Sequence, residues 1–253
     1  MNVMSIWADI LDFFFPRQCC MCGNRLYRQE HSICYSCLMH LPFTDYHTVE
    51  HSTLEKQFWG LFPIEKAVAM FHHDGEKTRN IIYNIKYYGH PNVGTYLASQ
   101  YAETLKKSHF FDDIDAIIPL PLHWKRQIKR SYNQSHYIAK GIQKATGLPI
   151  YFHVVKRVLN NPSQTHLNAQ QRMENVKDIF RLTHPEKIAG KHILLVDDVT
   201  TTGATLASCA KELAKAPHVK ISILTLAVAA RTSVPATQGD TIDVSVFGVP
   251  LME

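Results

Sequence analysis

The chain has no apolar run near the ~20 residues that span a bilayer, so no transmembrane helix is expected. It also lacks the features of a secretion signal. Met1–Pro16 carries no basic residue, and Asp9 and Asp12 interrupt its apolar stretch. Without either address, the cytoplasm is the expected compartment. Internal repeats and low-complexity tracts are missing, which excludes a solenoid or a largely disordered chain. Charge is scarce, at 19% of residues against 45% hydrophobic. The net charge of +5 is too mild to mark a nucleic-acid binder on its own. After residue 40 cysteine is nearly absent, Cys209 being the single case. It falls at helical spacing with Leu206 and Leu213 and reads as a core thiol.

The other five cysteines are crowded before residue 40, and four form two Cys-x-x-Cys pairs, Cys19/Cys22 and Cys34/Cys37, with 11 residues between them. In a chain without an export signal, this spacing points to metal rather than disulfides. Four paired thiolates suit tetrahedral Zn²⁺ and leave no open coordination position, so the expected role is structural. Cys20, His31 and His40 are then surplus to the ligand set. Residues 17–42 hold little else that is apolar and need such a staple. Before them, Trp7, Ile10, Leu11 and Phe14 have helical spacing and Pro16 ends the pattern. That helix either docks on the body of the protein or attaches to a membrane surface. Residues 43–64 are polar and irregular and read as a linker with a turn at Gly60–Pro63. The expected organisation is a first unit, 1–60, of helix, Cys₄ zinc ribbon and linker, followed by a larger domain, 61–253.

From residue 65 the pattern alternates between strand and helix. Strands are expected at Ala67–Phe71, Ile114–Pro119, Ile193–Val196 and Lys220–Val228, with a final edge strand at Ile242–Val249. Helices are expected at Glu76–Tyr88, around Val93–Leu105, at Tyr132–Thr146 and at Ala204–Ala214. This order implies an α/β fold, a mainly parallel sheet flanked by helices. Residues 158–178 form a long polar loop, of a length that usually serves function.

The most informative stretch is Ile193–Thr205, Ile-Leu-Leu-Val-Asp-Asp-Val-Thr-Thr-Thr-Gly-Ala-Thr. Four apolar residues make a buried strand, and Asp197 and Asp198 stand at its carboxyl end, where open α/β sheets bind ligands. Thr201, Thr202, Gly203, Ala204 and Thr205 then lead into a helix. Amides at a helix N-terminus, threonine hydroxyls and a permissive glycine make a cradle for phosphate. The acid pair would repel that phosphate and is suited instead to accept hydrogen bonds from vicinal ribose hydroxyls.

These 13 residues resemble the phosphoribosyl pyrophosphate (PRPP) signature of type I phosphoribosyltransferases. The whole chain resembles the ComF family, competence-associated proteins with an N-terminal zinc ribbon and a phosphoribosyltransferase-like domain. The resemblance runs through Phe15-Pro-Arg-Gln-Cys-Cys-Met-Cys22, Ile33-Cys-Tyr-Ser-Cys37, Ile85-Lys-Tyr-Tyr-Gly89, Ile118-Pro-Leu-Pro-Leu-His123, Arg130-Ser-Tyr-Asn-Gln-Ser135, Gln164 and Gln171-Arg-Met-Glu-Asn-Val176. One departure is Ser131, where the family usually has glycine. Serine is tolerated there unless the turn needs a positive φ.

The resemblance implies a type I phosphoribosyltransferase fold and a PRPP site taking Mg²⁺ with its ligand. Asp197 and Asp198 would hold the ribose, and Thr201, Thr202, Gly203, Ala204 and Thr205 the 5′-phosphate. The basic loop after the Ile114–Pro119 strand would place Lys125, Arg126 and Arg130 at the pyrophosphate, the alternative being a solvated basic face. Residues 158–178 correspond to a mobile flap, with Arg172 the candidate to reach the pyrophosphate on closure. Lys86 either points toward the site or only buries its stem at a helix end. Thr201 stands where some purine-specific relatives carry an acid, which weakens a role in purine salvage. The implied activity is phosphoribosyl transfer to an unidentified nitrogen acceptor, tied to DNA uptake or nucleotide metabolism, with Asp197, Asp198 and Arg172 as catalytic candidates. The alternative is a non-catalytic adaptor that binds PRPP or single-stranded DNA and works with a DNA-uptake ATPase or helicase. A homodimer is compatible with either.

Overall fold

The computed structural model describes residues 15–159 and 179–229. The expected helix up to residue 14, the flap from residue 160 with Arg172, and the expected strand at Ile242–Val249 lie outside the described residues.

The cysteine-rich segment contributes one helical turn, α1 (Tyr35–Met39), started by the Cys34 thiol accepting from the Cys37 amide. Then follow α2 (Thr53–Trp59), β1 (Ala67–His73), α3 (Glu76–Lys86), α4 (Asn92–Lys107), β2 (Ala116–Pro119), α5 (Trp124–Arg130) and α6 (Gln134–Thr146). The chain continues with β3 (Val155–Arg157), β4 (Phe180–Leu182), β5 (His192–Thr200), α7 (Ala204–Leu213) and β6 (Lys220–Ala229). The main sheet has the order β1-β6-β5-β2, and its pairs are parallel. β3 and β4 form a separate antiparallel ribbon. The expected parallel sheet flanked by helices is therefore the observed architecture.

Strand periodicity divides the core in two. Val68 and Met70 of β1, Leu194 and Val196 of β5, and Leu224 and Leu226 of β6 face α3, α4 and α6. Ala67, Ala69, Ile193, Leu195, Ile221 and Ile223 face α2 and α7. Alternate residues thus serve opposite faces, and both faces are covered, which explains why these strands read as unbroken apolar runs. Met21, Leu26, Ile33, Leu38 and Leu41 of the cysteine-rich segment join the first core, so that segment is packed onto the body.

The ribbon of β3 and β4 is not among the expected strands, and two further segments differ from the sequence expectation. The expected linker contains α2, nucleated by Ser52, whose hydroxyl accepts from the Glu55 amide at 3.2 Å. Leu54 and Phe58, one turn apart, are buried. The basic loop is a helix, α5, capped by His123 at its start and by Ser131 in the left-handed conformation (φ 66°) at its end. It buries no residue, so no apolar stripe marks it in the sequence.

At the amino edge of the sheet His192 is clamped between Asp113 Oδ2 at 3.1 Å and Ser222 Oγ at 2.9 Å. The order Ser–His–Asp resembles a hydrolytic triad, but Ser222 is fully buried within β6 and no substrate reaches it. The cluster instead fastens β5 to β6.

Helices α4 and α6 pack backbone to backbone at Gly141, where a Cβ would stand 2.3 Å from the Thr95 carbonyl oxygen. Gly141→Ala is therefore expected to destabilise the protein by about 3 kcal/mol through overpacking, read as a lower urea midpoint. Ser131→Gly should act in the opposite direction, by about 1 kcal/mol, because it removes a left-handed non-glycine residue. An unchanged midpoint in either variant would contradict the packing or the strain just described.

Candidate functional site

β5 carries Asp197 and Asp198 to the carboxyl edge of the sheet, where both are buried. Asp197 Oδ1 accepts from Ser135 Oγ of α6 at 2.9 Å. The Lys86 ammonium, at the end of α3, lies 3.0 Å from Asp198 Oδ2. The approach is that of an ion pair rather than an aligned hydrogen bond, and Asp198 Oδ2 accepts none among the described residues. Burial, followed by repulsion from Asp198, pushes the Asp197 carboxyl up to about 7.

A cleft of about 200 Å³ opens above this pair. Its wall carries four cations, Lys86, Arg126, Arg130 and Arg157, against the two carboxylates. They come from α3, α5 and β3, elements distant in the chain. Burial and the neighbouring Arg126 push the Arg157 guanidinium down to about 10. Burial and Arg130 likewise lower Arg126. Cations gathered against their mutual repulsion in a half-enclosed cleft make an environment that an anion relieves. Arg130 is held by Gln134 Oε1 at 3.1 Å and by Tyr87 Oη at 3.2 Å.

The adjoining loop runs from Thr200 to Gly203 into α7 and lines a second, smaller hollow. Gly203 has a φ of 75°, and a Cβ there would stand 2.9 Å from Phe58 Cε1. Gly203 thus meets both a left-handed turn and the close approach of an aromatic ring, and no other residue satisfies both. Gln57 Nε2 donates to the Thr201 carbonyl at 2.9 Å, so α2 props the loop from outside. Thr200 Oγ1 is buried and makes no hydrogen bond among the described residues. The hydroxyl-bearing loop at the N-terminus of a ten-residue helix has the donor chemistry of a phosphate cradle.

The structure brings Asp197, Asp198, Arg126, Arg130 and Thr205 into one cleft, with Thr201, Thr202, Gly203 and Ala204 in the adjoining loop. Lys125 is not among the lining residues; its ammonium lies over the Trp124 ring at 5.4 Å. Lys86 takes the first of its two sequence alternatives and points into the site. Arg157, Gln57 and Phe58 are not among the residues the sequence pattern singles out. The Ser52-x-x-Glu55 pattern ahead of Phe58 was a helix-start signal that could have revealed α2. A lone arginine in a three-residue strand gave no such signal.

In the cysteine-rich segment the Cys19, Cys22, Cys34 and Cys37 sulfurs lie within 4.8 Å of one another. Cys22 and Cys34 are 3.8 Å apart, close to the ~3.8 Å edge of a tetrahedron with Zn–S bonds of about 2.3 Å. The Cys34 amide donates to Cys19 Sγ, and the Cys37 amide to Cys34 Sγ, both at 3.4 Å. Buried Glu30 accepts from the amides of Tyr27 and Tyr35, each at 2.7 Å, and ties the segment between the two pairs together. Four converging thiols, two of them accepting from backbone N–H groups, fit a structural zinc ion.

Residues 135–251 match the phosphoribosyl transferase domain. The chain is 27% identical over 226 residues to Competence protein F of Haemophilus influenzae, covering 85% of this chain and 98% of that protein. DNA utilization protein YhgH of Salmonella typhi is 36% identical over 99 residues, 39% of this chain and 43% of that one. Competence protein ComFC of Bacillus subtilis is 28% identical over 137 residues, 53% of each chain. The chain thus spans nearly all of the first relative and about half or less of the other two. Among the described residues no helix is long and apolar enough to cross a membrane.

The raised Asp197 carboxyl has a consequence for stability. A folded value near 7 lies above the unfolded one, so the folded state holds the proton more tightly. The associated stability is present at pH 4 and is lost as pH rises through 7. Asp197→Asn keeps the acceptor for Ser135 but carries no charge. At pH 8 it should raise the unliganded Tm by roughly 5 °C, about 2 kcal/mol. The advantage over wild type should vanish near pH 4. A pH-independent difference would show that ionisation of Asp197 is not the cause.

Proposed function

We propose that this chain, a ComF-type competence and DNA-utilisation protein with a phosphoribosyl transferase domain, binds PRPP in the cleft at the end of β5 and transfers its phosphoribosyl group. The observation that carries the reading is the excess of cations in a cleft adjoining a phosphate cradle, around a buried acid pair. In this reading Thr201–Thr205 and the N-terminus of α7 hold the 5′-phosphate. Asp197 and Asp198 accept from the ribose hydroxyls, Asp197 steadied by Ser135. Arg126, Arg130 and Arg157 face the pyrophosphate, whose charge Mg²⁺ carried in with PRPP partly neutralises.

Transfer breaks the bond between the anomeric carbon and the pyrophosphate oxygen, which leaves with the electron pair. A nitrogen lone pair of the acceptor forms the new bond, and the acceptor's proton passes to solvent. Little covalent chemistry falls to the protein. Positioning and charge stabilisation of the departing pyrophosphate carry the rate. The acceptor is a nitrogen nucleophile, and Thr201 in place of an acid argues against a purine base.

Calorimetric titration of Mg²⁺–PRPP into the zinc-loaded chain tests the reading. Micromolar affinity is expected, weakened at least about 100-fold in Asp197→Asn/Asp198→Asn, since each lost charged hydrogen bond is worth about 1.5–3 kcal/mol. Folded wild-type protein that binds no PRPP would sink the proposal. Pyrophosphate release on adding candidate amines would then separate transfer from binding alone.

A second reading, engagement of single-stranded DNA, is favoured by one surface feature. Tyr87, Tyr88, Trp124 and Ile128 are exposed beside the cleft. Arg130 stacks over Tyr87 at 4.9 Å, alongside Lys125 over Trp124. Rings interleaved with cations suit unstacked bases and a phosphate backbone. The names of the relatives, which refer to competence and DNA utilisation, are in keeping with it. Tyr88→Ala/Trp124→Ala should weaken oligothymidylate binding about 10-fold or more in an anisotropy titration while PRPP binding is retained. Equal loss of both ligands would instead indicate a damaged fold.

A further inference from the structure

Helix α3 has two faces with different attachments. Asn80 and Asn84, one turn apart, lie against the cysteine-rich segment. Asn80 Nδ2 donates to the Met21 carbonyl at 3.2 Å and Asn84 Nδ2 to the Cys20 carbonyl at 3.1 Å. Both acceptors belong to the turn between Cys19 and Cys22, inside the first pair of metal-binding thiols. Lys86 follows Asn84 by two residues, which at 100° per residue places it on the opposite side of the helix. There its ammonium meets Asp198. The last turn of α3 is also gripped from the ligand side: Tyr132 Oη donates to the Ile85 carbonyl at 2.8 Å, and Arg130 donates to Tyr87 Oη. Ile81, Ile82 and Ile85 seat the helix in the same core as Met21, Leu26 and Leu38.

We infer that α3 is a strut by which the metal-loaded Cys₄ segment sets the position of Lys86 over Asp198, so that metal occupancy governs the affinity of the cleft for a pyrophosphate group. The physical logic is short. Met21 and a few backbone hydrogen bonds seat the Cys19–Cys22 turn, and a metal held by the four converging thiols adds the constraint that fixes it. Without the metal the carbonyls of Cys20 and Met21 are held less firmly, and α3 loses part of its outer support. Lys86 does two things for an incoming anion: it offsets one of two adjacent carboxylates and adds a positive charge to the wall. A displacement of about 1 Å at such a group is enough to weaken an electrostatic site substantially. Lys86 is therefore a positioning residue for the acid pair, and the ribbon positions Lys86.

The exchange arm of the test needs no ligand and does not rest on the proposed function; the binding arm does. In the first, amide hydrogen exchange is followed in the full chain, zinc-loaded and chelator-stripped. Residues 80–87 should exchange about 10-fold faster or more once stripped, with 220–229 of β6 unchanged as the internal control. In the second, inorganic pyrophosphate with Mg²⁺ is titrated calorimetrically. Stripping should weaken it at least fivefold, and Asn80→Ala/Asn84→Ala with zinc retained should reproduce that loss. Lys86→Met should bind weakly with or without zinc, whereas Lys86→Arg should keep the dependence on metal. Zinc-loaded Asn80→Ala/Asn84→Ala that binds pyrophosphate as wild type does would overturn the inference, even if stripping unfolds the chain. So would a metal effect that persists in Lys86→Met. If loaded wild type binds neither pyrophosphate nor PRPP, the proposed function falls, and exchange at 80–87 alone decides the strut.

Discussion

Two adjacent carboxylates buried at the end of a central strand are the constraint to which the rest of the molecule answers. Asp197 and Asp198 sit where desolvation and mutual repulsion both oppose charge. A fold selected for stability alone would place apolar residues there. What surrounds them is a set of compensations drawn from both sides of the sheet: the Ser135 hydroxyl from α6, the Lys86 ammonium from α3, and the Arg126 and Arg157 guanidiniums beyond. The compensation is incomplete, since Asp198 Oδ2 accepts no hydrogen bond among the described residues. An incompletely satisfied buried group at the mouth of a cationic cleft is what a site for a polyhydroxylated anion would leave open.

The loop beside the acid pair depends on parts that carry no chemistry. Phe58 fills the space a side chain at Gly203 would need, and Gln57 fixes the Thr201 carbonyl. Both come from α2, before the first strand of the sheet. On the other face, the Cys₄ segment shares a core with α3 and α4. Residues 17–59 therefore flank the site from two directions, α2 against one face of the sheet and the cysteine-rich segment, through α3, against the other.

How much of this was readable without coordinates differs by residue. Ile193–Thr205 announced itself because strand, acid pair, glycine and helix start are contiguous, so local rules suffice. The cysteine pairs were readable for the same reason. Lys86 was undecidable because its direction depends on the rotation of α3 about its axis, which is set by Asn80 and Asn84 meeting residues some sixty positions earlier. Arg157 gave no sign, since a three-residue strand has no periodicity to read. α5 reads as a loop in the sequence because it buries nothing, and α2 reads as a linker although Ser52 and Glu55 spell a helix start. Serine at 131 is unstrained only where φ is negative, and its φ is 66°.

The four cations of the cleft stand at positions 86, 126, 130 and 157, and the carboxylates they face at 197 and 198. The arrangement draws on segments well separated in the chain, and it is incomplete in a nascent chain until β5 and β6 have both been synthesised and β5 has paired between β2 and β6. The binding site is thus a late product of folding. Any ligand that recognises it discriminates finished molecules from unfinished ones, and its binding free energy is delivered wholly to the completed fold. In a cell, abundance of that ligand would act as a quality filter, prolonging the lifetime of correctly assembled copies while leaving truncated or clipped ones to proteolysis.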